Sequence, residues 1–209
     1  MSKSFSLARR TVLGAALVGM LAAPLPAAAQ GGNPAETFVS QNIQRGLALL
    51  NNKTLAPTQK RDQFEQFLTG LTDLKRIADF TLGNYRRSAS PGDLQAFEVA
   101  FQNYAVAVYQ YYFSRYSGQT LKVTGSTQRA ATDYIVATQL VDPAKPQPLE
   151  VSFRVRTDGA RPVVTDVSVE GVWLSLQQRD QFVAFLGQNN GNLRLLVTHL
   201  SELAKQFKS

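Results

Sequence analysis

The sequence of 209 residues contains no cysteine and only one histidine, His199. The first absence removes disulfides, zinc ribbons, iron–sulfur clusters, lipobox acylation and thiol nucleophiles. The second removes His-based metal clusters and leaves a Ser-His-Asp triad a single residue on which to be built. Long apolar runs are missing as well: the stretch from Thr11 to Ala23 falls short of the roughly 20 residues that span a bilayer. Charged residues are sparse at 18%, but apolar residues reach 44%. That balance fills a core and argues against disorder. The length suits one domain of ordinary size.

What is present begins with a targeting segment. Lys3, Arg9 and Arg10 precede the apolar run, and Pro24, Pro26 and Ala27-Ala28-Ala29 follow it. This is a basic n-region, an h-region and an A-x-A site, so residues 1–29 read as a signal peptide cut after Ala29. Arg9-Arg10 before Thr11-Val12-Leu13 resembles a twin-arginine signal, with the general secretory route as the alternative. Either route places the mature chain, 30–209, outside the cytoplasm, in a bacterial periplasm. Without those three residues 19 basic groups face 15 acidic ones, and the formal charge falls from +7 to +4. So small an excess does not point to nucleic acid. It suits a protein that visits anionic surfaces without adhering to them.

Helical spacing dominates the first half of the mature chain. Val39, Ile43, Leu47 and Leu50 make one amphipathic stripe, and Phe64, Phe67, Leu68 and Leu71 a second, opened by Pro57. A short helix over 73–82 follows, with Thr72 as its N-cap and Gly83 past its end. Ser90-Pro91-Gly92-Asp93 is the sharpest local signal: a cap, a proline at N1 and an acid in the first turn. The helix it opens runs to about residue 117. Near its end Tyr109, Tyr111, Tyr112, Phe113 and Tyr116 crowd together. They make either a helix wedged between two layers or the wall of an apolar cavity.

The period then changes to two, giving four strands at 121–125, 134–140, 149–156 and 163–170. Val163, Thr165, Val167 and Val169 read as one face of the last strand, and Val164, Asp166 and Ser168 as the other. Two more helices follow Gly171, separated by Asn189-Asn190-Gly191. Short connections predict an antiparallel meander. Helices segregated from strands predict an α+β fold: a single domain, with a four-stranded antiparallel sheet and helices packed on one face.

Chemistry is thinly represented. His199 reads as a surface or helix-end residue. Asp62 and Glu65 read as solvated helix charges, and Asp166 and Glu170 stand about 13 Å apart along a strand. No phosphate-binding Gly-rich loop, HExxH or GxSxG occurs. Tyr85-Arg86-Arg87 is a basic turn, either a solvated loop or an anion contact. With 12 Phe and 7 Tyr and no catalytic constellation, the chain suits a hydrophobic pocket or an unusually aromatic core.

Several strings in succession carry a resemblance. Leu82-Gly83-Asn84-Tyr85-Arg86-Arg87 followed by Ala89-Ser90-Pro91 is similar to an LGxYWR-x-A-S/T-P element. Phe97, Phe101 and the aromatic stretch continue it. Asp166-Val167-Ser168-Val169-Glu170-Gly171-Val172, then Gln178-Arg179-Asp180-Gln181-Phe182 and Asn190-Gly191, is similar to a DVxVEGVS…RxxF…G element. The order and spacing resemble MlaC-type periplasmic phospholipid-binding proteins, also called toluene-tolerance or auxiliary transport components. Departures are Arg86 for Trp, Trp173 for a small residue, Thr165 for Tyr, and Leu71-Thr72-Asp73 for Phe-Asp.

The resemblance implies an NTF2-like cone around an apolar lipid cavity, with no catalysis and no cofactor beyond phospholipid as cargo. It implies a monomer that shuttles lipid between an outer-membrane lipoprotein–porin complex and an inner-membrane ABC transporter complex, near membranes but not integral to them. Candidate acyl-chain contacts are Leu82, Phe97, Phe101, Tyr104, Val108 and Tyr112 on the helical side. Val151, Phe153, Val167, Val169 and Phe182 complete the set. Tyr85, Arg86 and Arg87 are candidates for the headgroup or a partner surface. A hopanoid-associated branch, an envelope-assembly adaptor and an enzyme acting on an apolar ring, of the steroid-isomerase kind, are the alternatives.

Overall fold

The structure is a computed structural model that describes residues 33–207. The signal-peptide reading of 1–29 lies outside the described residues. The chain folds in the order α1 (Pro34–Asn51), α2 (Pro57–Leu71), α3 (Leu74–Thr81), a 3₁₀ turn (Gly83–Arg87) and α4 (Pro91–Ser114). Then come β1 (Thr120–Ala130), β2 (Asp133–Val141), β3 (Leu149–Arg156), β4 (Val163–Val169) and β5 (Val172–Trp173), followed by α5 (Leu174–Gln188) and α6 (Leu193–Gln206).

Local chemistry starts the helices where it can. Pro34, Pro57 and Pro91 each open a helix at a position whose N–H would be unpaired anyway. Asn33, Ser90 and Asn192 accept first-turn N–H groups. Thr72 does not cap α3 as its position suggested. Its hydroxyl bonds back to the Leu68 carbonyl at the end of α2. Asp73 takes the capping role instead, accepting from the Arg76 N–H at 3.0 Å, and its own N–H donates to the Val164 carbonyl at 3.2 Å.

The sheet is an antiparallel meander in the order β1-β2-β3-β4-β5. It has five strands rather than the four expected, because Val172–Trp173 turns back to pair with Ser168 and Val169. The turn that permits this has Glu170 at φ 50° and Gly171 at φ 78°. Positive φ at both central residues is what a two-residue hairpin needs to match strand twist. Glu170 holds its strained place through both ends. Its N–H donates to the Glu150 carbonyl at 3.0 Å, and its carboxylate accepts from the Glu150 N–H at 2.6 Å. This residue is a strand clasp.

A bulge in β4 changes the faces read from the sequence. Arg154 pairs with Asp166 and Val155 with Val164, so Thr165 is the extra residue. One inserted residue shifts the alternation that follows it. Val164 therefore joins Val167 on the apolar side, where strict period two had opposed them.

The apolar interior has three parts. Ala35 and Val39 of α1 pack on Val136, Val155 and Val164 of the sheet. Phe64 and Leu68 of α2 pack on Val106 of α4. The largest part is purely helical and draws on α3 to α6, with Leu82, Phe97, Phe101, Phe182, Leu186, Leu196 and Leu200 at its centre. Phe97 and Phe101 both meet Phe182 edge-on, at 6.1 and 6.3 Å between ring centroids.

Candidate functional site

Between α1, α2, the C-terminal half of α4 and one face of the sheet lies a cavity of about 280 Å³. Its wall follows from the amphipathic stripes. Val39, Ile43, Leu47 and Leu50 descend α1 at three- and four-residue steps, which places them on one face. Phe64, Phe67, Leu68 and Leu71 do the same on α2. Tyr109 and Phe113, one turn apart, close the side toward α4, and the floor is Leu121, Val151, Phe153, Val164 and Val167. Phe64 and Phe113 hold α2 to α4 with their ring centroids 3.8 Å apart. Gly46 faces the Phe67 ring, 3.5 Å from the position of a Cβ, an ordinary contact distance.

The lining is almost all hydrocarbon. Asn42 turns its amide back to the Phe38 carbonyl at 2.8 Å, and Thr72 is engaged with Leu68. Tyr109 is the remaining polar group. Burial pushes its phenol pKa up, and the charge of Asp166 adds to the rise, so it stays neutral at physiological pH. A cavity of this kind holds apolar chains by exclusion from water and has little with which to orient a polar reactant.

The residues named from the sequence divide sharply. Val151, Phe153 and Val167 line the cavity. Leu82, Phe97, Phe101 and Phe182 are buried in the helical core, and Tyr104 packs at its edge, where its ring meets Phe207 at 6.1 Å. Val108 and Val169 are half-buried and do not reach the cavity. Tyr112 is 63% exposed. The reason is that α4 is apolar on nearly every side. One side builds the helical core, and only Tyr109 and Phe113 on another reach the cavity.

The aromatic crowd at the end of α4 is therefore shared among neighbours. Tyr111 meets Phe207 at 5.3 Å, beneath the Arg115 guanidinium at 3.4 Å. Tyr116 accepts from Asn51 at the end of α1, at 3.2 Å. Residues missed as cavity lining are those of α1 and α2, Leu121 and Val164, whereas Tyr109 and Phe113 come from the aromatic stretch for which a cavity wall was one of the two readings. The stripes of α1 and α2 were visible as stripes; what they faced was not.

Tyr85, Arg86 and Arg87 occupy the 3₁₀ turn. Tyr85 packs against the α5–α6 turn, where a Cβ on Gly191 would come within 3.2 Å of its ring. Arg86 pairs with Asp79 at 3.1 Å, and Arg87 is exposed. Gly83, at φ 55°, sits beneath Val183 and Arg179, 3.1 and 3.3 Å from the position of a Cβ. The Leu82–Arg87 string thus meets the α5 and α5–α6 turn parts of the second string, away from the cavity, while Val167 of that second string lines it. His199 stacks on Phe185 at 5.0 Å and serves packing.

Among the described residues no helix is long and apolar enough to cross a membrane, and no group of three or more acidic or His side chains could hold a metal ion. A family model described as MlaC protein matches residues 40–202. Among solved structures, the chain is similar to the phospholipid-binding protein from Ralstonia solanacearum in complex with a phospholipid. The TM-score is 0.74 at 22% identity, over 84% of this chain and 99% of that one. No curated protein matches the sequence.

Proposed function

The chain belongs to the MlaC protein family, and on that premise we propose that it is a non-catalytic periplasmic phospholipid carrier. It holds acyl chains in the cavity between α1, α2, α4 and the sheet, and carries lipid between outer- and inner-membrane complexes. The observation that carries this reading is the cavity itself, about 280 Å³ with a hydrocarbon lining. The phospholipid bound to the similar Ralstonia solanacearum protein supports it.

The energetics favour such a container. Each methylene exposed to water costs about 0.8 kcal/mol, so two long chains could not cross an aqueous space unshielded. Leaving a bilayer for the cavity exchanges one apolar medium for another, and the transfer is near neutral. Direction therefore comes from the partner complexes. Ligand pockets commonly run from about 300 to 1,000 Å³, and this one lies at the lower edge. Loading a diacyl lipid requires it to widen. The element suited to move is α2, which buries only Phe64 and Leu68. Arg87 of the 3₁₀ turn, exposed and without an ion pair among the described residues, is assigned to contact with a headgroup or partner surface.

The test is native mass spectrometry of the mature protein purified without detergent, followed by lipid extraction. The expected result is a stoichiometric phospholipid adduct. A hopanoid adduct would reassign the cargo to the sister branch. A bare protein mass that persists after incubation with liposomes would overturn the carrier reading.

A further inference from the structure

The sheet has a second face, and a second concavity of about 550 Å³ lies against it, bounded by α3 and the start of α5. Its floor is apolar: Ile77 and Phe80 of α3, Ile135 of β2, and Trp173 and Leu176 at the β5–α5 junction. Phe80 and Leu176 remain 43% and 46% exposed, with the Arg179 guanidinium over the Phe80 ring at 5.3 Å, so hydrocarbon surface is left open to water beside the groove. Around this floor stand four guanidinium groups, from Arg76, Arg129, Arg154 and Arg156, and two carboxylates, from Asp133 and Asp166.

The carboxylates are already engaged. Asp133 receives Arg154 through two bonds, at 3.0 and 2.6 Å. Asp166 receives the backbone and hydroxyl of Ser175. Arg156 is held by Asp158 at the rim. Arg76 and Arg129 are different: among the described residues no ion pair or side-chain hydrogen bond holds either guanidinium. Arg76 feels Asp158 and Arg129 feels Asp133 only at longer range, and two guanidinium groups with no direct partner over an exposed apolar floor suit an acid with a compact hydrocarbon body. A flat bilayer surface cannot fill a concavity, and a neutral lipid tail would leave both guanidinium groups without a charge-assisted hydrogen bond.

We infer that this groove is a second binding site, for a small anionic amphiphile: a phosphate or carboxylate on a short alkyl or aryl body. The acid is held by Arg76 and Arg129, and the body lies on Phe80, Trp173 and Leu176. The site is separated from the acyl cavity by the thickness of the sheet and does not depend on the carrier reading.

Trp173 is the one tryptophan of the chain, so its fluorescence reports on this groove. Purified protein with its co-purified lipid is titrated with hexyl phosphate, inorganic phosphate, hexyltrimethylammonium and vesicles containing phosphatidylglycerol. The expected result is a saturable change in Trp173 emission with hexyl phosphate, a much weaker one with inorganic phosphate, and none with the cation. In R76A/R129A the dissociation constant rises about ten-fold or more, as loss of charge-assisted bonds requires, while retained lipid is unchanged by mass. L176E, with both arginines intact, weakens hexyl phosphate more than inorganic phosphate. An unaltered dissociation constant in R76A/R129A, or equal binding of the cation, overturns the proposal. Release of the bound lipid in step with the signal would place the ligand in the acyl cavity and also overturn it. A response to vesicles alone would mean a membrane headgroup contact in place of a small-ligand site.

Discussion

The Asp166 carboxylate, on β4, accepts both the backbone N–H of Ser175, at 3.1 Å, and its hydroxyl. Trp173 stands at the N-cap of α5 and cannot supply an acceptor from its side chain. Asp166 therefore caps a helix to which it is not adjacent in sequence. It ties the sheet to the helical core through a buried serine, which explains an acidic residue in a valine-rich strand.

Removing that cap leaves buried donors at the start of α5 without an acceptor. Asp166→Ala is expected to lower stability by about 1–3 kcal/mol, read as a fall in the urea midpoint with an unchanged slope. Ser175→Ala, which keeps the backbone bond, is expected to cost less. Equal effects would mean that the hydroxyl, and not the helix end, is what Asp166 serves.

Filling the cavity separates the two apolar regions. Val151→Phe and Val167→Phe place new rings into open space, so co-purified lipid is expected to fall well below stoichiometry with little change in melting temperature. Phe101→Trp adds volume to the filled helical core and is expected to cost about 1–3 kcal/mol, leaving lipid per folded molecule unchanged. Lipid loss in Phe101→Trp with unchanged stability would move the acyl site to the helical side.

Hydrogen exchange tests the element proposed to open. In lipid-free protein the amides of α2 are expected to exchange faster than those of α4 and α6, because α2 buries so little. Bound lipid slows them. Phe113→Ala removes the ring that holds Phe64 and is expected to raise α2 exchange further, with α6 unaffected.

Asp133 predicts a pH dependence. The Arg154 guanidinium hydrogen-bonded to it holds its carboxyl below the usual carboxylate range, against the opposing effect of burial. A carboxyl with a depressed folded pKa stabilises the fold above its unfolded value, near 3.9, and loses that contribution as pH falls through the folded value. Asp133→Asn is expected to be less stable than wild type at pH 7 by about 1–3 kcal/mol. The gap narrows as the pH is lowered from 5 toward 2, followed by thermal melts across that range. A constant gap would show that the loss is one of packing.

Legibility followed locality. The Ser90-Pro91-Asp93 start of α4 was readable because a cap, an N1 proline and a first-turn acid act within four residues. The α1 and α2 stripes were readable because the period of a helix is set by its backbone. The fifth strand was missed because two residues, Val172 and Trp173, are too few to display an alternation. The faces of β4 were misread because nothing adjacent to Thr165 announces that a bulge falls there.

Sequence alone settled the α+β class, the order of helices and strands, and the succession of strings that resembles the MlaC family, all of which depend on neighbours along the chain. Tertiary structure decided which apolar faces meet each other and which meet a void. Phe101 and Phe113 belong to the same helix, yet one fills a core and the other lines the cavity, because α4 has different neighbours on its two sides. The same holds for Arg76 and Arg129, 53 positions apart in sequence and brought to one groove by the packing of α3 against the sheet. Hydrophobic periodicity records that a side chain leaves water; it carries no record of what that side chain then touches.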